Sequence, residues 1–143
     1  FLSRKIAEAG HNLVDRVMCK DSIYSIRAIV SGWIDTAELD VVLITGGTGV
    51  TGRDGTPEAV SVLFDKTLEG FGETFRALSY ADIKTSTMQS RAVAGVANRT
   101  YVFSLPGSTG ACKLAWESLI SFQLDSRTKP CNLVELMPRL LER

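Results

Sequence analysis

An unbroken apolar run, Val41 to Ile44, opens directly into Thr45-Gly46-Gly47-Thr48-Gly49, and that junction constrains the fold more than any other stretch. Consecutive apolar residues suit a strand buried on both faces, the habit of parallel strands. The three glycines then make a turn without side chains at the carboxyl end of the strand, where backbone N–H groups can approach an anion closely. Thr45, Thr48 and Thr51 add hydroxyl donors, and Asp54 stands at the far lip, placed to hold a magnesium ion over bound phosphates. Thr56-Pro57 reads as a helix start, Thr as N-cap and Pro in the first position. No Lys follows the glycines, so this is not a Walker loop, and the spacing is not the dinucleotide fingerprint. A glycine-rich turn that binds nothing is the competing reading; the acid and the hydroxyls favour phosphate.

Around this junction the chain alternates strand and helix. Leu2, Ile6 and Ala9 recur at helical spacing, with Gly10 as a C-terminal cap. Leu13 to Met18 reads as a strand. Asp21 or Ser22 caps the next helix, whose apolar stripe is Ile23, Ile26, Val30, Trp33 and Ile34. Asp21 thus lies at a strand-to-helix junction, as Asp54 does, and reads either as a cap or as a second site acid. Val60, Leu63, Phe64 and Leu68 describe a helix that Gly70-Phe71-Gly72-Glu73 breaks, and Phe75, Leu78 and Tyr80 a further short one. Glu73 is either a site acid or a first-turn charge. The hydroxyl-rich run Thr85 to Ser90 ends in Arg91, a candidate partner for a phosphate or else part of a solvated loop. Ala92 to Ala97 and Thr100 to Leu105 read as antiparallel strands turning at Asn98. Pro106-Gly107-Ser108 then forms a second strand-loop-helix unit shaped for an anion, with Ser108 as N-cap. The helix after it carries Ala111, Leu114, Ala115, Leu119 and Phe122 on one stripe, with Trp116 off centre, at a subunit contact or the rim. Val134 to Leu141 reads as a short terminal helix or a strap, interrupted at Pro138.

These patterns predict one α/β domain over residues 1–143, a mostly parallel sheet covered on both faces, with ligands beyond the carboxyl ends of its strands. The Asp21 junction, the Gly46 loop and the Pro106 loop all sit at such ends. Lys plus Arg and Asp plus Glu number 16 each, a neutral balance that argues against nucleic-acid binding by broad electrostatics. No apolar run approaches membrane-spanning length. Cys19, Cys112 and Cys131 show no metal spacing and read as reduced thiols of a cytoplasmic protein. His11 is the only histidine, read as a surface turn residue, so a multi-histidine metal site is excluded. The chain begins at Phe1, without methionine and already in a helical pattern, which suggests a preceding segment.

Thr45 to Gly49, Arg53-Asp54 with Thr56-Pro57-Glu58-Ala59, Gly70 to Glu73, Ser90-Arg91 and Pro106-Gly107 together resemble the MoaB/MogA family of molybdenum-cofactor biosynthesis proteins. Thr85 to Asn98, Pro106 to Thr109, Ala115-Trp116-Glu117 and Gln123 to Asn132 resemble its MoaB branch in particular. The resemblance covers essentially the whole chain. It implies a three-layer α/β/α sandwich, one strand antiparallel, that binds molybdopterin and assembles as a trimer or a hexamer. It also implies a strand and a polar loop before the first helix, which this sequence lacks. In the MogA branch the activity is adenylylation of molybdopterin with Mg-ATP. Two aspartates matter there, and they correspond to Asp54 and, less directly, Asp21. The glycine loop corresponds to Gly46, Gly47, Thr48 and Gly49. Some MoaB-branch proteins lack the acid at the Asp54 position; this chain keeps it, which favours activity. A non-catalytic pterin carrier and an unrelated phosphate-binding protein are the alternatives. On the enzyme reading, Thr45, Glu73, Ser90, Arg91, Pro106, Gly107 and Ser108 join the loop as candidate pterin and phosphate contacts.

Overall fold

A computed structural model describes residues 1–143. Four strands form one sheet in the order β1 (Val41–Thr45), β4 (Thr100–Leu105), β3 (Val93–Ala97), β2 (Lys66–Thr67). β1 runs parallel to β4, while β3 runs antiparallel to both β4 and β2. Three strands therefore share one direction and β3 alone opposes them, as the sequence predicts.

The β3–β4 hairpin turns on Asn98 and Arg99, at φ 44° and 65°. Successive left-handed residues make the tight turn whose twist matches the strands. Tyr101, Phe103 and Leu105 point to one face of the sheet, Val102 to the other. Against the first face lie α1 (Leu2–Glu8), α4 (Glu69–Ile83) and α5 (Thr109–Ala115), with Phe75, Ala115 and Trp116 in the shared core. Against the second lie α2 (Ile23–Ile34) and α3 (Thr56–Ser61), through Ile26, Val30, Ala59 and Val60. The result is the α/β/α sandwich. Replacing Phe75, 1% exposed, by Ala removes a fully buried ring and costs about 3–5 kcal/mol. Tyr101 is equally buried, and its hydroxyl donates to the Leu133 carbonyl at 2.8 Å.

Several local expectations are corrected. Residues 13–18 form no strand, and all of residues 11–20 are exposed. A strand needs a neighbour for its backbone groups, and a cavity of about 960 Å³ separates this segment from the free edge of β1. Trp33 Nε1 donates to the Asp15 carboxylate at 3.1 Å and ties the segment to α2. Helix α3 stops at Ser61, and α4 starts at Glu69 and runs through Gly70 and Gly72 without a break. Gly72 serves close packing there: a Cβ would lie 2.7 Å from the Ala92 carbonyl oxygen. Residues 84–89 coil into a 3₁₀ turn instead of a loop. Trp116 is buried in the core, not at the rim, in a π-turn (Trp116–Ile120) that prolongs α5.

Candidate functional site

β1 and β4 lie side by side, in register, and end together: Thr45 pairs with Leu105. Each strand then enters its polar loop, so both candidate anion loops leave the sheet at one place. Gly46 donates its N–H to the Leu105 carbonyl at 2.9 Å, and a Cβ on Gly107 would stand 3.3 Å from the Gly46 Cα. Glycine at both positions is what lets the two backbones touch. Gly46 and Gly47 adopt φ of +97° and +69°, conformations that L side chains rarely take.

The loop is pinned from beneath. The Thr56 hydroxyl donates to the Gly46 carbonyl at 2.9 Å, and its N–H to the Gly47 carbonyl at 3.0 Å. The sequence marks Thr56 as an N-cap, but Gly55 occupies that position and Thr56 is a buried loop anchor. Gly46 N–H is spent on Leu105, whereas the N–H groups of Gly47 and Thr48 meet no acceptor within the fold. Such paired free donors form an anion-binding concavity.

Asp54 curls back over this loop. Its Oδ2 accepts from the Thr51 N–H at 2.9 Å and from the Thr51 hydroxyl at 2.7 Å. The Thr51 hydroxyl bond, then its N–H bond, hold the carboxyl below its usual range, with smaller help from the Gly49 N–H and the Arg91 charge. Asp54 therefore stays ionised well into acid. Glycine at 49 leaves the carboxylate its place, since a Cβ there would lie 2.7 Å from Asp54 Oδ2.

Arg91 reaches into the loop from the other side. Its Nε donates to the Gly49 carbonyl at 2.7 Å and its Nη2 to the Asp54 carbonyl at 2.7 Å. Both terminal nitrogens also pair with the Glu58 carboxylate, and the bond to Arg91 is the main reason the Glu58 carboxyl lies below its ordinary value. The backbone N–H of Arg91 donates to the Thr48 carbonyl at 2.9 Å.

Asp21 is exposed and makes no ion pair or side-chain hydrogen bond; the cap of α2 is Ser22, whose hydroxyl accepts from the Ser25 N–H at 3.3 Å. Asp21 lines the same cavity as Thr45, Gly46 and Gly107. The two acidic junctions are neighbours as well, because a Cβ on Gly55 would lie 2.8 Å from Ile23 Cγ1. Ser108 caps α5, accepting from the Ala111 N–H at 3.2 Å. The Pro106 carbonyl accepts from the buried Cys112 thiol at 3.4 Å. The Ser90 hydroxyl is buried without a partner. Glu73 is exposed on α4 and is tied to none of these residues.

The glycine loop, Asp54, Arg91 and the Pro106 loop are thus one contiguous site, with Asp21 on its margin. Sequence reading quoted Glu58 within the Thr56-Pro57-Glu58-Ala59 motif without giving it a role, and gave none to Arg76, which donates to the Ser90 and Ala92 carbonyls on either side of Arg91. The partner of Glu58 lies 33 residues away, beyond the reach of a local pattern. No group of three or more His, Cys, Asp or Glu residues is arranged to hold a metal ion.

A family model described as a probable molybdopterin binding domain matches residues 1–126. Molybdenum cofactor biosynthesis protein B of Escherichia coli K12 is 58% identical over 132 residues, covering 92% of this chain and 78% of that protein. A crystal structure of a molybdenum cofactor biosynthesis protein B superposes with a TM-score of 0.83 at 47% identity, over 86% of this chain and 77% of that one. The tungsten cofactor synthesizing protein MoaB from Pyrococcus furiosus gives a TM-score of 0.72 at 38% identity, over 80% of this chain and 74% of that one.

Proposed function

This chain belongs to the molybdopterin-binding domain family that includes molybdenum cofactor biosynthesis protein B, and from that membership we propose that it binds molybdopterin and adenylylates it with Mg-ATP. Its place is in molybdenum cofactor biosynthesis. The observation that carries the finer reading is the Thr45–Leu105 pairing. It brings two glycine-containing loops to one point and leaves the Gly47 and Thr48 N–H groups free beside an ionised Asp54.

In the reaction, a terminal phosphate oxygen of molybdopterin forms a bond to the α-phosphorus of ATP. The bond from that phosphorus to the bridging oxygen breaks, and pyrophosphate leaves with the electron pair. The attacking phosphate is anionic at neutral pH, so no general base is required. That suits a chain whose one histidine, His11, is exposed and edge-on to Trp116 at 6.3 Å. Catalysis is then positioning and charge stabilisation. Gly47 and Thr48 N–H groups hold phosphate oxygens, and Gly107 and Ser108 form the facing wall.

Magnesium commonly takes only one or two carboxylates from a protein when phosphates complete its shell. Asp54 and Asp21 fit that need, and the donor set suits an ion that arrives with the nucleotide better than a resident metal. Bound there, magnesium would neutralise phosphate charge. The three unpaired cysteines fit a reducing cytoplasm, and assembly as a trimer or hexamer belongs to the same reading.

The test is to incubate the protein with molybdopterin and Mg-ATP and to follow adenylylated pterin and pyrophosphate. Formation of both in equal amounts is expected. Molybdopterin binding without either product would replace the enzyme by a pterin carrier.

A further inference from the structure

We propose that Arg91 is a positioning residue and not an anion ligand: it locks the 48–54 loop to α3 and thereby fixes the Asp54 carboxylate. This rests on reading that loop as the phosphate site.

An arginine beside a glycine loop invites the opposite assignment, since the guanidinium fork matches a phosphate well. Here the fork is already occupied. Four of its five N–H donors are directed at the Gly49 carbonyl, the Asp54 carbonyl and the two Glu58 oxygens. What remains cannot grip an anion in the two-pronged manner that distinguishes arginine from lysine. The acceptors are informative in another way. Thr48, Gly49 and Asp54 are the two ends of the loop, and one residue holds all three through its backbone and side chain.

Both supports of this brace are themselves fixed. Arg27 on α2 donates to the Ala59 carbonyl at 3.0 Å and the Glu58 carbonyl at 3.1 Å, which holds the helix carrying Glu58. Arg76 on α4 donates to the Ala92 carbonyl at 3.0 Å and the Ser90 carbonyl at 3.4 Å, on either side of Arg91. The Thr87 hydroxyl returns a bond to the Arg76 carbonyl at 3.0 Å. A continuous series of ties therefore runs from α4 through Arg91 to the loop and on to α3. Its effect is to hold a carboxylate on a glycine-rich segment, where backbone freedom is otherwise greatest.

The experiment compares wild type with Arg91→Lys, Arg91→Ala and Glu58→Gln by amide hydrogen exchange, and measures molybdopterin binding alongside. Lysine keeps the charge but cannot span the Gly49, Asp54 and Glu58 acceptors. Exchange of the Thr51, Asp54 and Thr56 amides is expected to quicken about tenfold or more in Arg91→Lys and Arg91→Ala. A smaller increase is expected in Glu58→Gln, while amides of β3 and β4 keep their wild-type rates. A loop that exchanges at the wild-type rate in Arg91→Lys, with molybdopterin affinity kept in Arg91→Lys and lost in Arg91→Ala, would make Arg91 a direct anion ligand and overturn the proposal. Loss of protection across β3 and β4 together with the loop would reduce it to a general stability effect and overturn it equally; Glu58→Gln, the mildest change, decides the matter should the arginine variants not fold. Failure of the pterin reading shows separately, as wild-type protein that binds no molybdopterin whatever the loop does.

Discussion

Thr45 and Leu105 are the last residues of two adjacent parallel strands and lie opposite each other in the sheet. That pairing brings the two candidate anion loops to one place. Loops that leave from paired strand ends start within hydrogen-bonding reach, and Gly46 takes up the contact at once with the Leu105 carbonyl. Ligands of open α/β sheets gather at such carboxyl ends.

Asp54→Ala is expected to fold as wild type and to lose about 10²–10³ in the rate of adenylylated pterin formation, the scale for removing one electrostatic stabiliser. The Asp54 carboxyl lies below its ordinary value of 3.8. Asp54 should therefore remain charged down to that pH, and activity governed by it should fall only at lower pH. Wild-type turnover in the variant would remove Asp54 from the mechanism.

Gly49→Ala tests the same acid without touching it. The added Cβ would stand 2.7 Å from Asp54 Oδ2 and 3.1 Å from its Cγ, so the carboxylate must move. A rate loss of about tenfold or more is expected, since misplacement by an ångström is costly in a preorganised site, with little change in the melting temperature. Full activity would show that the carboxylate position is not critical.

Lys84 sits at φ 53°, ψ −134° between α4 and the 3₁₀ turn that follows it. Glycine takes positive φ without steric cost. Lys84→Gly is expected to stabilise the protein by about 1 kcal/mol, a rise of roughly 2–4 °C in Tm for a chain of this size, read by thermal denaturation. A lower Tm would mean that the Lys84 bond to the Ala81 carbonyl, 3.0 Å, outweighs the backbone strain.

Asp125 is held at about 2 by hydrogen bonds from the Arg127 side chain and backbone. A carboxyl depressed by folding contributes stability that is complete above its ordinary value of 3.8 and is lost as the pH falls towards 2. In Arg127→Ala, an NMR titration should show the Asp125 carboxyl moving up towards 3.8. The acid limb of the stability profile between those two pH values should flatten. An unmoved titration would assign the depression to something other than Arg127.

Much of this was written locally in the sequence. The apolar run and its glycines, the Asn98 turn, the Ser22 and Ser108 caps and the hairpin of β3 and β4 depend on residues within a few positions of one another, so short-range sterics and hydrogen bonding suffice to specify them. The bond between Thr51 and Asp54 is equally local, its partners three residues apart. The run of glycines at 70 and 72 misled because a helix break and a close helix–sheet approach call for the same residue, and only the nearness of the Ala92 carbonyl separates them.

What the tertiary structure alone decided is how long-range ties use those local pieces. Thr56 turned from cap to anchor because the Gly46 carbonyl lies against it. Arg91, which the sequence offers as a phosphate partner or part of a solvated loop, instead directs its guanidinium at Gly49, Asp54 and Glu58, more than thirty residues earlier. Residues 13–18 carry a strand-like pattern but no strand, because an extended segment becomes one only where a neighbouring edge accepts its hydrogen bonds. Sequence by itself determined which segments were able to turn, to cap or to leave backbone donors free. The packing of α2, α3 and α4 around one pair of parallel strand ends decided which of them meet, because partners so far apart in the chain are selected by the shape and saturation of the folded interior and by no local rule.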